Sequence, residues 1–181
     1  MRRIQAVLLI AAAIPAWAAQ PVRARHGMVV SRERHATHAG LQVLQSGGNA
    51  VDAAVAAAAT LGVTEPYVAA IGGGGFFVYY DAKTHHVHTI DGRETAPRAA
   101  RADMYLDAVG NPVRDRSLYG YLAAGVPGTV MGLDHALTQY GRLGRAQVMA
   151  PAIALARDGF VPYFFDAYSS PRTVPGIPEA R

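Results

Sequence analysis

An alanine- and valine-rich segment places the strongest constraint on what this chain can fold into. Residues 50–61 carry small apolar side chains on every face of the helix that their spacing predicts. A helix that is apolar all round belongs in the protein interior, and small side chains let neighbouring elements approach it closely. Asn49 is expected to cap its N-terminus, with Asp52 completing a capping box at the positive end of the helix. The segment therefore predicts a globular domain built around a buried helix.

The residues before this helix predict one strand and one further helix. Residues 28–30 form a short apolar run typical of a buried strand, and Ser31 is expected to cap the helix that follows. The apolar spacing from Ala36 onward is helical, and the glycine pair at residues 47–48 is expected to end that helix.

The residues after the buried helix predict a β-hairpin followed by two helices. Residues 76–80 and 86–91 have strand patterns, and residues 81–84 between them form the expected turn. The remaining predicted boundaries are a turn at residues 125–128, a helix over 130–140 closed by Gly141, and a last helix from near Pro151 to Asp158.

The N-terminus has the layout of a secretory signal peptide. Two arginines precede an apolar run over residues 6–14, and Ala-Trp-Ala at residues 16–18 matches an A-x-A cleavage site. The run is too short to favour the alternative, a stable membrane anchor. We therefore expect residues 1–18 to be a signal peptide that is cut after Ala18, and the protein to be periplasmic or secreted.

Composition excludes several classes of function. The 181 residues include no Cys, which excludes disulfides, zinc–thiolate sites, iron–sulfur clusters and a cysteine nucleophile. Removal of the signal peptide takes away two arginines and no acidic residue, so the net charge falls from +4 to +2. Because no basic stripe interleaved with aromatic residues remains, nucleic-acid binding is not expected. An exported chain without Cys fits the bacterial periplasm.

The glycine run at residues 72–75 is a candidate phosphate-binding loop, but its context argues against that role. Phe76 and Phe77 follow it where a Walker A loop has Lys and Ser or Thr. The run also precedes a strand, whereas a dinucleotide-binding loop follows one. We expect instead that this backbone packs too closely against another element, or against a substrate, for a Cβ to fit.

Four histidines form two pairs that could ligate a metal. His35 and His38 share a helix face, and His86 and His88 share a strand face. No nearby cluster of Asp and Glu completes a site with recognisable spacing, so we expect exposed histidines, no metal and no cofactor.

Arg93 is the residue whose chemistry is most open. It follows the second predicted strand in a charged loop over residues 91–97. It could pair with Glu94 or another surface acid, or its planar guanidinium could bind a substrate carboxylate through two parallel hydrogen bonds. Spacing alone does not separate these two roles. No Gly-x-Ser-x-Gly motif supplies a nucleophilic serine.

Six motifs in unbroken order over residues 21–161 resemble the γ-glutamyltranspeptidases, also called glutathione hydrolases. They lie at residues 26–30, 47–56, 72–76, 91–97, 125–129 and 155–160. The resemblance implies an α+β fold of the N-terminal nucleophile hydrolase type, an αββα sandwich of two sheets between helical layers, present here as an N-terminal fragment. It also implies a precursor that cuts itself into a large and a small subunit. Three parts of the chain are then expected: the signal peptide at 1–18, the N-terminal portion of the large subunit at 19–161, and an irregular tail at 162–181 that does not resemble the family.

The resemblance also implies an activity. The N-terminal threonine of the small subunit attacks the γ-glutamyl amide of glutathione, and the γ-glutamyl group passes to water, an amino acid or a peptide. That threonine is not expected in this chain, so we assign no catalytic residue here and expect the missing small subunit to be the partner. The isolated chain is then expected to be inactive.

The same resemblance implies that Arg93 binds the α-carboxylate of the γ-glutamyl group. Glu94 is a weaker candidate for substrate binding and is expected to orient Arg93. Two alternatives remain open. The chain is an inactive remnant or a fragment that requires a partner, or it belongs to the cephalosporin-type acylases of the same family, which share all of these motifs.

Overall fold

The computed structural model describes residues 21–69 and 71–161. The predicted signal peptide at residues 1–18 and the predicted irregular tail at residues 162–181 lie outside the described residues. Within the part that is described, no helix combines the length and the apolar character that crossing a membrane requires.

Four α-helices and one β-hairpin make up the regular structure of the described residues. In chain order these are α1 (Arg34–Gln45), α2 (Ala50–Thr64), β1 (Gly75–Asp81), β2 (His86–Gly92), α3 (Thr129–Tyr140) and α4 (Arg145–Asp158), with two short 3-10 helices, Arg114–Ser117 and Tyr121–Ala123, between β2 and α3.

The alanine-rich helix α2 is the centre of the packing, and it runs three residues further than predicted. It packs against α1, α3 and α4. Val51 and Val55 of α2 join Val43 of α1, Ala136 of α3 and Val148 of α4 in one buried cluster. The prediction of burial on every face is only partly correct. Ala58, Ala59 and Val63 are half-buried, because this side of α2 lines an open apolar groove of about 890 Å³ between α2, α3 and α4. Ala54, which does not line the groove, is exposed.

The predicted capping box at the start of α2 is confirmed. The Asn49 Oδ1 atom accepts the backbone N–H groups of Val51 and Asp52 at 2.9 and 3.0 Å, and the Asp52 carboxylate accepts the Asn49 N–H at 2.7 Å. Asp52 is fully buried and also accepts the backbone N–H groups of Arg142 and Leu143 at 3.0–3.2 Å. One carboxylate therefore joins the start of α2 to the loop between α3 and α4.

The prediction of a strand over residues 28–30 was wrong, as was the prediction that Ser31 caps α1. The described residues contain no strand that pairs with 28–30, and Val29 instead packs as extended chain against the core. The cap of α1 is Glu33, whose carboxylate accepts the N–H groups of His35 and Ala36, both at 2.9 Å. The Ser31 hydroxyl donates to the Glu33 carbonyl oxygen and accepts the Glu33 N–H, and so helps to position the capping residue.

Helix α1 ends where the sequence predicts, whereas helix α4 does not begin where the sequence predicts. Helix α1 ends at Gln45, and Gly47 takes the left-handed conformation (φ +90°) that favours glycine after a helix. Helix α4 begins at Arg145, not near Pro151 as predicted, and Pro151 lies inside it. The ring of Pro151 removes one backbone donor, but the turn before it packs through buried Val148 and keeps the helix intact.

The predicted hairpin is confirmed, with each strand slightly longer than expected. The strands pair antiparallel from Gly75 opposite Gly92 to Asp81 opposite His86. In the turn, the Asp81 carboxylate accepts the Lys83 N–H and the Thr84 hydroxyl, and these hydrogen bonds lower the pKa of Asp81.

The two faces of the hairpin have different surroundings. On one face Phe77, Tyr79 and Ile90 pack against the core. On the other face Phe76, Val78 and Tyr80 are mostly exposed. The hairpin thus has one face packed on the helices and one apolar face without a cover. This pattern is typical of a strand pair that belongs to a larger layered fold.

We predict that Asp52→Asn destabilises the chain by about 2–4 kcal/mol. One carboxylate oxygen would be replaced by an NH₂ group, which cannot accept the backbone N–H groups that Asp52 accepts, and the site is buried. Chemical denaturation of the full chain would measure the loss, and hydrogen exchange should show reduced protection of the Arg142 and Leu143 amides. Asp103→Asn is the matched control. Its side chain is 67% exposed in an ion pair with Arg101, so a change within about 0.5 kcal/mol is expected. Equal effects of the two substitutions would contradict the account.

Candidate functional site

The candidate site is the loop that carries Arg93 and Glu94 directly after β2. The Arg93 N–H donates to the Asp91 carboxylate at 3.0 Å, which fixes the turn out of the strand. The Arg93 guanidinium lies 3.2 Å from the Glu94 carboxylate, and its side chain is 58% exposed. The structure thus brings together the two site residues predicted from the sequence. The ion pair with Glu94 is present, and more than half of the Arg93 side chain faces solvent, where it can reach an anion.

Two glycines from other parts of the chain press against the backbone of this loop. A Cβ placed on Gly74 would lie 2.6 Å from the Gly92 carbonyl oxygen and 2.7 Å from the Glu94 nitrogen. A Cβ on Gly128 would lie 2.8 Å from the Gly92 carbonyl carbon and 3.0 Å from the Arg93 carbonyl oxygen. Only glycine permits backbones to approach this closely. The backbone around Arg93 is therefore in close contact with glycines from two other segments of the chain.

Backbone hydrogen bonds join the same three segments. The Gly73 carbonyl oxygen accepts the N–H groups of Gly128 and Thr129, both at 3.1 Å. Thr95 and Val126 form an isolated antiparallel bridge, with bonds of 3.2 and 2.9 Å. The glycine run, the Arg93 loop and the start of α3 consequently form one bonded unit.

The prediction for the glycine run is confirmed at Gly74 and not at Gly72 or Gly75. Cβ atoms on Gly72 and Gly75 would meet nothing within 4 Å. A cavity of about 100 Å³ adjoins this backbone, lined in part by Gly74, Gly92 and Gly128. Ligand sites for drug-sized molecules usually measure about 300–1,000 Å³, so this cavity is too small for such a ligand, and Arg93 is not among the residues that line it.

The histidines are dispersed in the structure. His38 and His86 are exposed as expected, whereas His35 and His88 are half-buried. The His88 ring lies 4.9 Å from the ring of Tyr140, where it helps to pack α3 on the hairpin. In the described parts of the chain, no group of three or more His, Asp or Glu side chains could hold a metal ion.

The residue that sequence reasoning missed at this site is Gly128. The segment over residues 125–128 was predicted only as a turn that opens α3. It does precede α3, but it forms no turn: Val126 pairs with Thr95 in an isolated β-bridge. Nothing in the spacing of these residues indicates that Gly128 touches the backbone of Gly92, 36 positions earlier. A Gly immediately before a helix with no capping side chain is the one signal available, because Ser, Thr, Asp or Asn would cap better.

The chain is similar to known proteins over most of its length. The family model described as Gamma-glutamyltranspeptidase matches residues 36–164. Glutathione hydrolase proenzyme of Escherichia coli (strain K12) is 49% identical over 141 residues, which cover 78% of this chain and 24% of that protein. Acylase ACY 1 proenzyme of Pseudomonas sp. (strain V22) is 44% identical over 148 residues, covering 78% of this chain and 26% of the relative.

A solved structure is similar as well. The crystal structure of Helicobacter pylori gamma-glutamyltranspeptidase is 44% identical, with a TM-score of 0.74, and the match covers 77% of this chain and 40% of that chain. This chain spans about a quarter of the length of the curated relatives named above.

We predict that Glu94→Gln changes the free energy of unfolding by less than about 0.5 kcal/mol, because an exposed ion pair contributes little to stability. The same substitution should alter the NMR signal of the Arg93 side-chain Nε–Hε group, since its carboxylate partner is lost. A loss of stability well above 1 kcal/mol in chemical denaturation would show instead that the ion pair holds the loop in place.

Proposed function

Because this chain belongs to the γ-glutamyltranspeptidase family, we propose that it supplies the donor-binding part of an enzyme that cleaves the γ-glutamyl amide of glutathione and related compounds. The predicted resemblance and fold class are both confirmed: the chain has the mixed helix and strand fold of the N-terminal part of a γ-glutamyltranspeptidase. The activity is a proposal because the chain spans about a quarter of its relatives' length.

The observation that carries the proposal is the exposed side chain of Arg93 on a backbone that two glycines contact closely. We assign Arg93 to the α-carboxylate of the γ-glutamyl group. Two parallel N–H···O bonds between guanidinium and carboxylate are charge-assisted and fix orientation as well as distance. With the α-carboxylate fixed, the γ-amide at the other end of the glutamyl group is presented in one position to an attacking group.

Glu94 is proposed to orient Arg93. Its carboxylate contacts one terminal nitrogen of the guanidinium at 3.2 Å. The same carboxylate would touch a Cβ on Gly74, so the glycine run and the Arg93 loop together restrict where Glu94 lies. Glu94 then limits the rotamers of Arg93 and leaves the guanidinium N–H groups that do not face Glu94 free for the ligand.

The reaction that this binding would serve is acyl transfer. A nucleophilic hydroxyl attacks the carbonyl carbon of the γ-amide, the amide C–N bond breaks, and the leaving amine takes up a proton. Water or an amino group then attacks the γ-glutamyl ester and releases the hydroxyl. We place the nucleophile in the part of the family's length that this chain does not span, supplied by a small subunit, and we assign no catalytic residue to the described residues.

Two alternatives lead to different outcomes of the same assays. An acylase would prefer amides of cephalosporin-type acyl groups, and it has the weaker support, since the relative named as an acylase is 44% identical against 49% for a glutathione hydrolase. A remnant without function would bind no γ-glutamyl compound.

We also propose that the protein is exported, with its signal peptide cut after Ala18 and the mature chain in the periplasm or outside the cell. The layout of residues 1–18 supports this proposal. N-terminal sequencing of the protein from a periplasmic fraction should begin at Ala19. Recovery only of uncut protein in the cytoplasm would contradict it.

The test of donor binding is NMR titration of the full chain with γ-glutamyl-p-nitroanilide. We expect Arg93→Ala to abolish binding and Arg93→Lys to weaken it about tenfold or more, because lysine keeps the charge and loses the two-point contact. Arg101→Lys is the control, since Arg101 is an exposed arginine in a comparable ion pair, and its affinity should match the wild type. We expect no release of nitroaniline from the chain alone. Equal affinity of wild type and Arg93→Ala would refute the assignment.

A further inference from the structure

We propose that Gly74 and Gly128 are positioning residues for Arg93, and that the affinity for the donor carboxylate depends on the absence of a side chain at both positions. The inference rests on the proposed role of Arg93 as the carboxylate-binding group. The atoms nearest to a Cβ at either position belong to the backbone of residues 92–94 and to the Glu94 carboxylate, and none of them belongs to the Arg93 guanidinium. Both act through the backbone of residues 92–94, from which that side chain projects.

At Gly128 the contact is with backbone alone. An added Cβ would overlap the Gly92 carbonyl oxygen and lie 3.0 Å from the Arg93 carbonyl oxygen. These atoms belong to the peptide units on either side of the Arg93 Cα. A methyl group at residue 128 cannot be accommodated by rotation of a flexible side chain, so the Arg93 backbone or the start of α3 must move.

At Gly74 the contact comes from a different segment, the glycine run that precedes β1. An added Cβ would lie 2.6 Å from the Gly92 carbonyl oxygen and 2.8 Å from the Glu94 carboxylate. The second of these atoms is the oxygen that pairs with Arg93. A methyl group here would therefore disturb both the backbone of Arg93 and the carboxylate that orients it.

The start of α3 has little freedom to move away. The Gly73 carbonyl oxygen accepts both the Gly128 and the Thr129 N–H groups, and the Thr95–Val126 bridge joins the segment before α3 to the Arg93 loop. Because these bonds restrain both segments, we expect the clash to displace the peptide units on either side of the Arg93 Cα. Misplacement of a positioning group by about 1 Å can cost about 100-fold in an enzymatic rate, so an effect on the affinity for the carboxylate of at least tenfold is reasonable.

The chain offers a matched control for each position. Gly144 precedes α4 as Gly128 precedes α3, and neither residue makes a capping side-chain bond. A Cβ on Gly144, or on Gly75 beside Gly74, would meet nothing within 4 Å. The pairs Gly128→Ala with Gly144→Ala, and Gly74→Ala with Gly75→Ala, add the same methyl group and differ in what that group meets. Gly128 (φ -114°, ψ -10°) and Gly144 (φ -69°, ψ 149°) differ in conformation, but both have a negative φ that alanine adopts.

The experiment combines two readouts on the full chain. NMR titration with γ-glutamyl-p-nitroanilide gives the Kd, and the Arg93 amide and Nε–Hε signals report its position without any ligand. We expect Gly128→Ala and Gly74→Ala to raise the Kd at least tenfold and to shift both Arg93 signals. The two control variants should match the wild type in Kd and in the Arg93 signals. Unchanged Kd and Arg93 signals in Gly128→Ala, or identical changes in Gly128→Ala and Gly144→Ala, would overturn the inference.

A milder variant covers the case in which Gly128→Ala and Gly74→Ala do not fold. A Cβ on Gly125 would lie 3.3 Å from the Glu94 Cβ, so Gly125→Ala should displace the loop slightly. It should raise the Kd about threefold and shift the Arg93 signals in the same direction; no shift would count against the inference. If the wild-type chain binds no γ-glutamyl compound, the proposed function fails, while the ligand-free Arg93 signals still decide whether the glycines position the arginine.

Discussion

The interaction on which the rest of this structure depends is the buried carboxylate of Asp52. It accepts backbone N–H groups from the start of α2 and from residues 142 and 143, which precede α4. A buried charge is costly unless hydrogen bonds satisfy it, and here every bond comes from backbone at the positive end of a helix or from the neighbouring loop. The Asn49 side chain adds a bond to the carbonyl oxygen of Tyr140, the last residue of α3. These contacts fix the end of α3 against the alanine-rich helix.

Helix α3 connects these contacts to the candidate site. Its C-terminal residue, Tyr140, packs on His88 of the hairpin, and its N-terminus is bonded to the glycine run through Gly73. Because the helix is held at both ends, Gly128 is pressed against the backbone of Arg93. Contacts at both ends of one helix thus connect the buried packing around Asp52 to the backbone of an exposed arginine. A rigid scaffold of this kind suits the role that we propose for Arg93.

The features that the sequence predicted are those whose partners lie close along the chain. The capping box joins Asn49 to Asp52 three residues away, and the hairpin turn needs only its own Asp81 and the N–H two residues on. The errors have another source. Glu33, and not Ser31, caps α1. The Glu33 carboxylate also accepts the hydroxyl of Thr64 in α2, a residue 31 positions further along the chain. The contact between Gly128 and the Arg93 loop likewise joins distant segments, so periodicity and spacing could find Arg93 but not what holds it.

The most direct test of the account is a crystal structure of the full chain soaked with L-glutamate. We predict that the α-carboxylate binds the guanidinium N–H groups of Arg93 that do not face Glu94, through two hydrogen bonds of about 2.7–2.9 Å, with the Glu94 contact and the close approach of Gly128 retained. A glutamate bound elsewhere on the described surface, or an Arg93 side chain that turns away from a bound carboxylate, would contradict it.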